Sequence, residues 1–465
     1  MFRKDGRGIA SAIGLIVGIL LTCIILPYRP VVGEGGIKPQ KLTILFTGDD
    51  WGMVKPCGCG YDRDLGGLAR RATYIKKVLK SEGEVLLLDA GDTFGGYSGA
   101  FANIKIKFYS EFLNYTGYEA VGMGEWEILY SLESGLKRFF GQSIHLLCAN
   151  VVDASSGKLI AEEPFMVKKL QSGLRVGIIS VLGEDRIDQS TLQKWQIRIL
   201  PPADALSKYL PELKKKSDLI VLLSHTQADK AKQLAAEVPG IDVVIGGHIS
   251  PLSSDFPEQV GTAIFMQTRS AGKYVGKLVL EIGADRKIAS FSGEYVPMGS
   301  DIEDDPKVAE MVKQHDQEVA AFYSRTIPQP SVDVGPKPFV SSTKCGECHS
   351  AEFASWSKTA HKMAFEALRK DNRTGDPECV KCHTTGSGSK GGFISETATP
   401  HLLGVQCEMC HGPGVIHVRK PEKGYGAVSE STCRRCHDQP NSPGFKYQEY
   451  RKKILHKQAE AVEVK

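Results

Sequence analysis

Four copies of one short pattern occupy the last quarter of this 465-residue chain, each with two cysteines three positions apart and a histidine directly after the second. They are Cys345, Cys348, His349; Cys379, Cys382, His383; Cys407, Cys410, His411; and Cys433, Cys436, His437. Two thiols at that spacing can each bond one vinyl group of the same porphyrin, and the adjacent histidine then faces the iron as its proximal ligand. Cysteine pairs at this spacing also build zinc ribbons or disulfides, but a zinc site has no need of a histidine after all four pairs. The expected cofactors are therefore four covalently bound haem c groups, and the expected activity is electron transfer.

The same segment holds four further histidines, His361, His401, His417 and His456, a number that matches four irons and makes them candidate sixth ligands. An iron closed by two imidazoles relays electrons, whereas one lacking its sixth ligand is open to a small molecule. Residues 356–365 read Trp, Ser, Lys, Thr, Ala, His, Lys, Met, Ala, Phe, and residues 404–417 enclose the run Cys407, Glu408, Met409, Cys410, His411, Gly412, Pro413, Gly414 before His417. Over 344–456 the chain resembles the tetrahaem cytochrome c family that carries electrons away from hydroxylamine oxidation. The resemblance implies that His361 and His417 ligate neighbouring haems, that haems stack in pairs, and that the partners are redox proteins, other cytochromes among them. His456, on an expected basic helix, is a third ligand in this reading. His401, a lone loop histidine, reads equally as a ligand or as a solvated residue.

The N-terminus fits an exported chain, outside the cytoplasm where haem thioethers are made. Arg3, Lys4 and Arg7 precede eighteen uncharged, mostly apolar residues, 9–26, closed by Pro27. As a helix that stretch would be roughly 27 Å long, just short of a bilayer core of about 30 Å, so a cleaved signal and a retained membrane anchor are both open. Val31 and Gly33 suit the small-residue positions of a cleavage site. The expected location is periplasmic or the outer face of the cell envelope. The formal charge of +4 is small for this length, and no Lys/Arg cluster is interleaved with aromatics, so no nucleic-acid partner is expected.

Residues 40–300 alternate β-rich apolar runs with amphipathic stretches, the pattern of an α/β domain. Strands are expected at 42–46, 85–89, 145–149, 175–181, 219–223 and 243–245, and helices at 67–79 and 228–237. A further helix is expected at 306–323, capped by Asp304 or Asp305, with Val308, Met311, Val312, Val319 and Phe322 on one side. Pro328, Pro330, Pro336 and Pro338 then mark a semi-rigid linker, so the domains read as 1–36, 40–300, 301–340 and 341–465. The last of these has few long apolar runs and would take most of its core from porphyrin.

The α/β part resembles the periplasmic 5′-nucleotidase branch of the metallophosphoesterases. The landmarks are Thr47, Gly48, Asp49; Gly66, Gly67, Leu68; Asp89, Ala90, Gly91, Asp92; Gly124, Glu125, Trp126, Glu127; His225; and Gly246, Gly247, His248. The resemblance implies a layered sandwich whose loops hold two metal ions bridged by an Asp, with a water between them as nucleophile. The departures are as informative as the matches. Trp51 stands where the family carries a histidine after Asp49, Glu125 and Trp126 replace an Asn and the catalytic His, and Ser250 replaces a ligand after His248. One site keeps only Asp49 and Asp92; the other keeps Asp92, His225, His248 and, by substitution, Glu125, a set suited to one Zn, Mn or Fe ion. Two-metal phosphoester hydrolysis is disfavoured on that account.

Cys57 and Cys59 lie a few residues beyond Asp49, and Cys148 is expected on a strand near the same region. They read either as disulfide formers or as thiolates replacing the lost histidines at the metal. His145 and His315 read as a strand-edge and a helix-surface residue. The leading reading is an electron relay with a docking or single-metal module. The rivals are a phosphoesterase with a fused cytochrome, and a haem or metal enzyme acting on a small nitrogen or sulfur compound.

Overall fold

A computed structural model of the chain describes residues 40–56, 64–95, 99–141, 143–248, 254–269, 271–326, 338–370, 373–374, 376–438, 441–442 and 444–456. Cys57, Cys59, Ser250, the apolar stretch 9–26 and most of the proline-rich linker lie outside them. No helix among the described residues is long and apolar enough to cross a membrane.

The strands run β1 Gln40–Thr47, β2 Glu84–Asp89, β3 Ala120–Gly122, β4 His145–Leu147, β5 Val151–Asp153, β6 Phe165–Lys169 and β7 Arg175–Leu182. They continue as β8 Ile197–Ile199, β9 Leu219–His225, β10 Val243–Gly246, β11 Glu258–Val260, β12 Ala263–Gln267, β13 Tyr274–Ile282 and β14 Ile288–Pro297. Two six-stranded sheets result, ordered β14-β13-β1-β2-β3-β4 and β11-β12-β10-β9-β7-β6, with β5 and β8 forming a small separate pair. All six strands expected from the apolar runs are present. β1 to β4 are mutually parallel, as are β7, β9, β10 and β12, while β6, β11, β13 and β14 add antiparallel edges.

The period-two alternation of each central strand explains the layering. In β1, Leu42, Ile44 and Phe46 turn to one face with Leu86 and Leu88 of β2, where they meet Val176 and Ile178 of β7 and Leu219, Val221 and Leu223 of β9. Leu45 and Leu87 turn to the other face, against helices Leu68–Ser81 and Gly99–Thr116. On the second sheet, Ile179, Val181, Ile220 and Leu222 point outward onto helices Pro202–Lys216 and Ala228–Glu237. The result is a helix–sheet–sheet–helix sandwich with three apolar layers.

Helix Pro306–Thr326 packs on the first outer layer through Val308, with Met311 and Val312 beside it. Asp305 is its cap, its Oδ1 accepting from the N–H groups of Lys307 (3.1 Å) and Val308 (3.0 Å). His315 on this helix is not a surface residue. It is buried, its ring 4.6 Å from that of Phe108, and burial pushes its imidazole down to about 3.

The C-terminal segment is built differently, from helices of five to seven residues joined by turns. Its apolar cluster is small: Phe339, Phe365, Leu368, Val380, Phe393 and Leu402. Helix Tyr447–Lys452 ends before His456, so that histidine lies beyond the helix rather than on it.

Candidate functional sites

The first site lies where the parallel strands end, the edge at which open α/β sheets place ligands. Asp49 follows β1, Asp92 follows β2, Glu125 follows β3, His225 closes β9 and His248 follows β10. Ligand atoms of Asp49, Asp92, His225 and His248 all lie within 4.8 Å of one another. Glu125 joins them, its Oε2 3.2 Å from His225 Nε2 and its Oε1 3.9 Å from His248 Nδ1. Asp49, read from the sequence as a remnant of the second metal site, thus shares one cluster with the other four.

Backbone geometry is stretched to make this convergence. Asp49, Asp92 and His248 all adopt left-handed φ values, 54°, 52° and 54°, a conformation that costs a non-glycine residue about 1–3 kcal/mol. Neighbouring glycines give the loops room. A Cβ on Gly91 would lie 2.6 Å from Gly124 N and 2.9 Å from His225 Nδ1, and one on Gly247 would lie 2.5 Å from the Ala90 carbonyl oxygen. Glu127, given no role by the sequence reading, is the buried clasp. Its carboxylate accepts from the N–H groups of Asp92 (2.8 Å), Gly124 (2.9 Å) and Phe94 (3.3 Å), which ties the Asp92 loop to the turn carrying Glu125. Burial, with Asp92 and Asp89 nearby, pushes it up to about 8.

The donor set fits a cation. His225 Nδ1–H donates to the Ala90 carbonyl (2.8 Å), which aims Nε2 at Asp92 and Glu125; against the effect of burial these carboxylates raise the imidazole well above its ordinary value, so a metal ion bound here would take the place of the Nε2 proton. His225 Nε2, Glu125 Oε2 and Asp49 Oδ1 are buried without a hydrogen-bond partner. Orphaned polar atoms of this kind are costly unless an ion satisfies them. Burial raises Asp49 to about 7 and raises Asp92 as well, against the pull of His225. Burial, with His225 and Arg186 nearby, pushes His248 down to about 4, so its ring is neutral and has a lone pair to offer.

Trp51 and Trp126 hold the places of the missing histidines and act through backbone: Trp51 N–H donates to the Asp92 carbonyl (3.0 Å) and Trp126 N–H to Asp92 Oδ1 (3.4 Å). Cys148 lies just past β4, and burial pushes its thiol up to about 11, which opposes the thiolate role expected of it. His145 is a half-exposed edge-strand residue, with Nδ1 2.6 Å from Glu163.

The second site is the four-motif segment. His349 faces His417 with ring centroids 6.2 Å apart and planes 22° apart; His361 faces His437 at 6.2 Å and 40°; His411 faces His456 at 6.3 Å and 30°. Each pair joins one motif histidine to one of the expected distal ligands. Rings in direct contact here lie nearer, as His417 on Tyr425 at 4.4 Å and His437 on Phe445 at 4.7 Å. The wider gap has room for one ion with a metal–imidazole bond of about 2 Å on either side. His411 Nδ1–H donates to the Gly426 carbonyl (2.7 Å), His383 Nδ1–H to that of Ala364 (2.6 Å), and His437 Nδ1 lies 3.2 Å from Ser442 Oγ. That arrangement leaves Nε2 of each for an iron, and the donor set fits haem. His383 and His401 lie outside these three pairs, His401 exposed on the single turn Pro400–Leu402.

Side-chain contacts also bring motifs together. The thiols of Cys345 and Cys407 are within hydrogen-bonding reach, as are those of Cys382 and Cys436, so the first motif meets the third and the second meets the fourth.

Comparison with known proteins agrees with this division. Residues 344–412 match the family model described as cytochrome c554 and c-prime. Cytochrome c-554 of Nitrosomonas europaea is 41% identical over 92 residues, 17% of this chain and 39% of that protein. The 5′-nucleotidase of Bos taurus is 26% identical over 301 residues, 58% of this chain and 52% of that protein. Among solved structures, a 5′-nucleotidase precursor of Thermus thermophilus aligns with a TM-score of 0.52 at 23% identity, over 71% of this chain and 68% of that one. A sulfate thiohydrolase of the same species also aligns at 0.52, with 16% identity, over 65% and 63%. The two structures establish the fold alone. The chain spans about half the length of the 5′-nucleotidase and 39% of the cytochrome.

Proposed function

We propose that this chain, a 5′-nucleotidase-like α/β domain joined to a cytochrome c554 domain, is an exported electron carrier whose four motifs each hold a haem c. The observation that carries the reading is the set of three histidine pairs, each spaced for one iron between two imidazoles. In this reading His349 and His417 hold the haem of the first motif, His411 and His456 that of the third, and His437 and His361 that of the fourth. Haem supplies a one-electron couple at each position. The chain's own residues orient the imidazoles through carbonyl acceptors, keep water from the axial positions, and bring neighbouring macrocycles close through the Cys345–Cys407 and Cys382–Cys436 contacts. The partners are redox proteins. Mass spectrometry of the mature protein tests the count: four added haem masses are expected between residues 345 and 437, and a smaller number would sink the four-haem reading.

A second reading concerns the α/β domain and is favoured by its orphaned ligand atoms. Asp49, Asp92, Glu125, His225 and His248 would hold one Zn, Mn or Fe ion, which supplies a Lewis acid. Without a second metal or a histidine at Trp126, this domain does not clamp both oxygens of a phosphoester displacement. It is a single-metal or docking module rather than a nucleotidase. Cys57 and Cys59 would add soft ligands. Metal analysis of the wild type and of Cys57→Ser with Cys59→Ser, beside a nucleotide and phosphodiester hydrolysis screen, tests this. Turnover lost in His225→Ala but kept when haem is absent would make the domain a hydrolase instead.

A further inference from the structure

Between the two cysteines of the third motif stands Glu408, a buried carboxylate that nothing in haem attachment requires. It is 4% exposed and accepts four contacts from backbone N–H groups: Val340 on both oxygens (2.9 and 3.1 Å), Ser341 (2.8 Å) and Gly414 (2.7 Å). Those donors are placed informatively. Val340 and Ser341 lead directly into helix Ser342–Gly346, which carries Cys345 of the first motif. Gly414 is the residue before helix Val415–Arg419, which carries His417, the ring partner of His349. The carboxylate therefore clamps the attachment side and the distal side of the first haem site against the motif of the third.

Neighbouring contacts reinforce the clamp. Ser342 N–H donates to Gln406 Oε1 (2.6 Å), and Cys407 N–H donates to Ser342 Oγ (3.3 Å). Tyr425, stacked on His417, donates its hydroxyl to the carbonyls of Gly412 (2.8 Å) and Pro413 (2.6 Å). Glu408 lies within electrostatic reach of both the Cys345 thiol and the Tyr425 phenol.

We propose that Glu408 is a positioning and potential-setting residue for the haems of the first and third motifs, holding their axial ligands in register and lowering their midpoint potentials. A carboxylate held by several N–H donors keeps its charge when buried. Reduction of a haem adds one negative charge, so a fixed anion at short range in a low dielectric disfavours the ferrous state. Exposed charges are screened by salt, and this one is not.

The inference rests on the haem-carrier reading, so the test begins with haem content. If the wild type lacks four haems, the reading fails; if it has four, Glu408→Gln decides the inference. The first-motif haem is identified by the low-spin electron paramagnetic resonance signal that His417→Ala removes. In Glu408→Gln that signal keeps its g values while its midpoint, and that of the third-motif haem, moves upward at both low and high salt; the other two stay in place. No upward movement, or an equal movement of all four, overturns the proposal. Should Glu408→Gln not mature, Glu408→Asp, which keeps the charge, retains the wild-type midpoints, and a shift there overturns it as well.

Discussion

The two halves of this molecule reach a folded state by opposite routes. The α/β half buries three layers of its own side chains, and its candidate metal site is a small addition at the rim of a finished core. The cytochrome half gathers six buried apolar side chains into one cluster among its described residues, while three pairs of imidazoles face each other across a gap of 6.2–6.3 Å between ring centroids. A fully buried apolar side chain contributes about 1.5–3 kcal/mol, and ordering each residue costs about 1–2 kcal/mol of backbone entropy, so six such side chains cannot hold a segment of this length. In the first half the ligand depends on the fold; in the second the fold depends on the ligand.

The largest test of that contrast is to withhold haem. In protein matured without haem attachment, residues 338–456 are expected to lose amide protection in hydrogen-exchange mass spectrometry, while strands β1, β2, β7 and β9 keep theirs. Equal loss in both halves would erase the distinction. A smaller change comes from single axial ligands. His417→Ala, His361→Ala and His456→Ala are each expected to turn one haem from low spin to high spin without loss of haem mass, read by electron paramagnetic resonance. A variant that leaves the spectrum untouched removes that histidine from the axial set.

The contrast also governs what could be read from the sequence. Continuous apolar runs announced β1, β2, β7, β9 and β10 because each buries both faces in a parallel sheet, and a proline at position 306 behind an aspartate announced the long helix. β3 has three residues, and β11, β12, β13 and β14 owe their places to pairing with distant strands, which local pattern does not encode. Motif spacing marked the proximal histidines His349, His383, His411 and His437, since the porphyrin imposes it, whereas His361, His417 and His456 were candidates only by their number and by family resemblance; the fold then sets each of the three opposite a motif histidine. Glu127 and Glu408 carried no such mark. Both are buried acids whose partners are backbone N–H groups brought close only by the tertiary fold. The exposure of His315 was misjudged because the residue was read apart from its neighbours: it falls on the same helical face as Val308, Val312 and Val319, the face turned toward the core, while positions 313, 314, 317 and 318 face solvent.

For the α/β half, the metal site sharpens the comparison from the other direction. Adding Mn or Zn at a hundredfold excess over its Kd is expected to stabilise this half by about 2.7 kcal/mol, roughly 5–10 °C in its thermal transition, and leave the haem spectra unchanged. His225→Ala, which removes the buried imidazole facing Asp92 and Glu125, abolishes that increment. Glu127→Ala, leaving all five ligands in place, weakens metal binding about 10–100-fold by loosening the loops that carry Asp92 and Glu125. Calorimetry with and without metal measures both. An increment that survives His225→Ala would move the ion elsewhere.

The smallest effect belongs to a group that serves neither site. His315 is neutral in the fold, its imidazole pushed from 6.5 down to about 3 by burial, with Lys105 nearby acting in the same direction. The unfolded chain protonates this histidine below 6.5 and the folded chain does not, so the unfolded state binds more protons across that window. Stability associated with His315 is therefore intact above 6.5 and is lost progressively as pH falls toward 3. His315→Phe keeps a ring against Phe108 and cannot titrate. Near neutral pH it is expected to change stability by under about 1.5 kcal/mol, as volume-conserving core swaps do, and to flatten the acid side of the curve. Denaturant titrations of both proteins at a series of pH values make the comparison; parallel curves from 6.5 to 3 would mean that the buried imidazole accepts a proton in the folded protein.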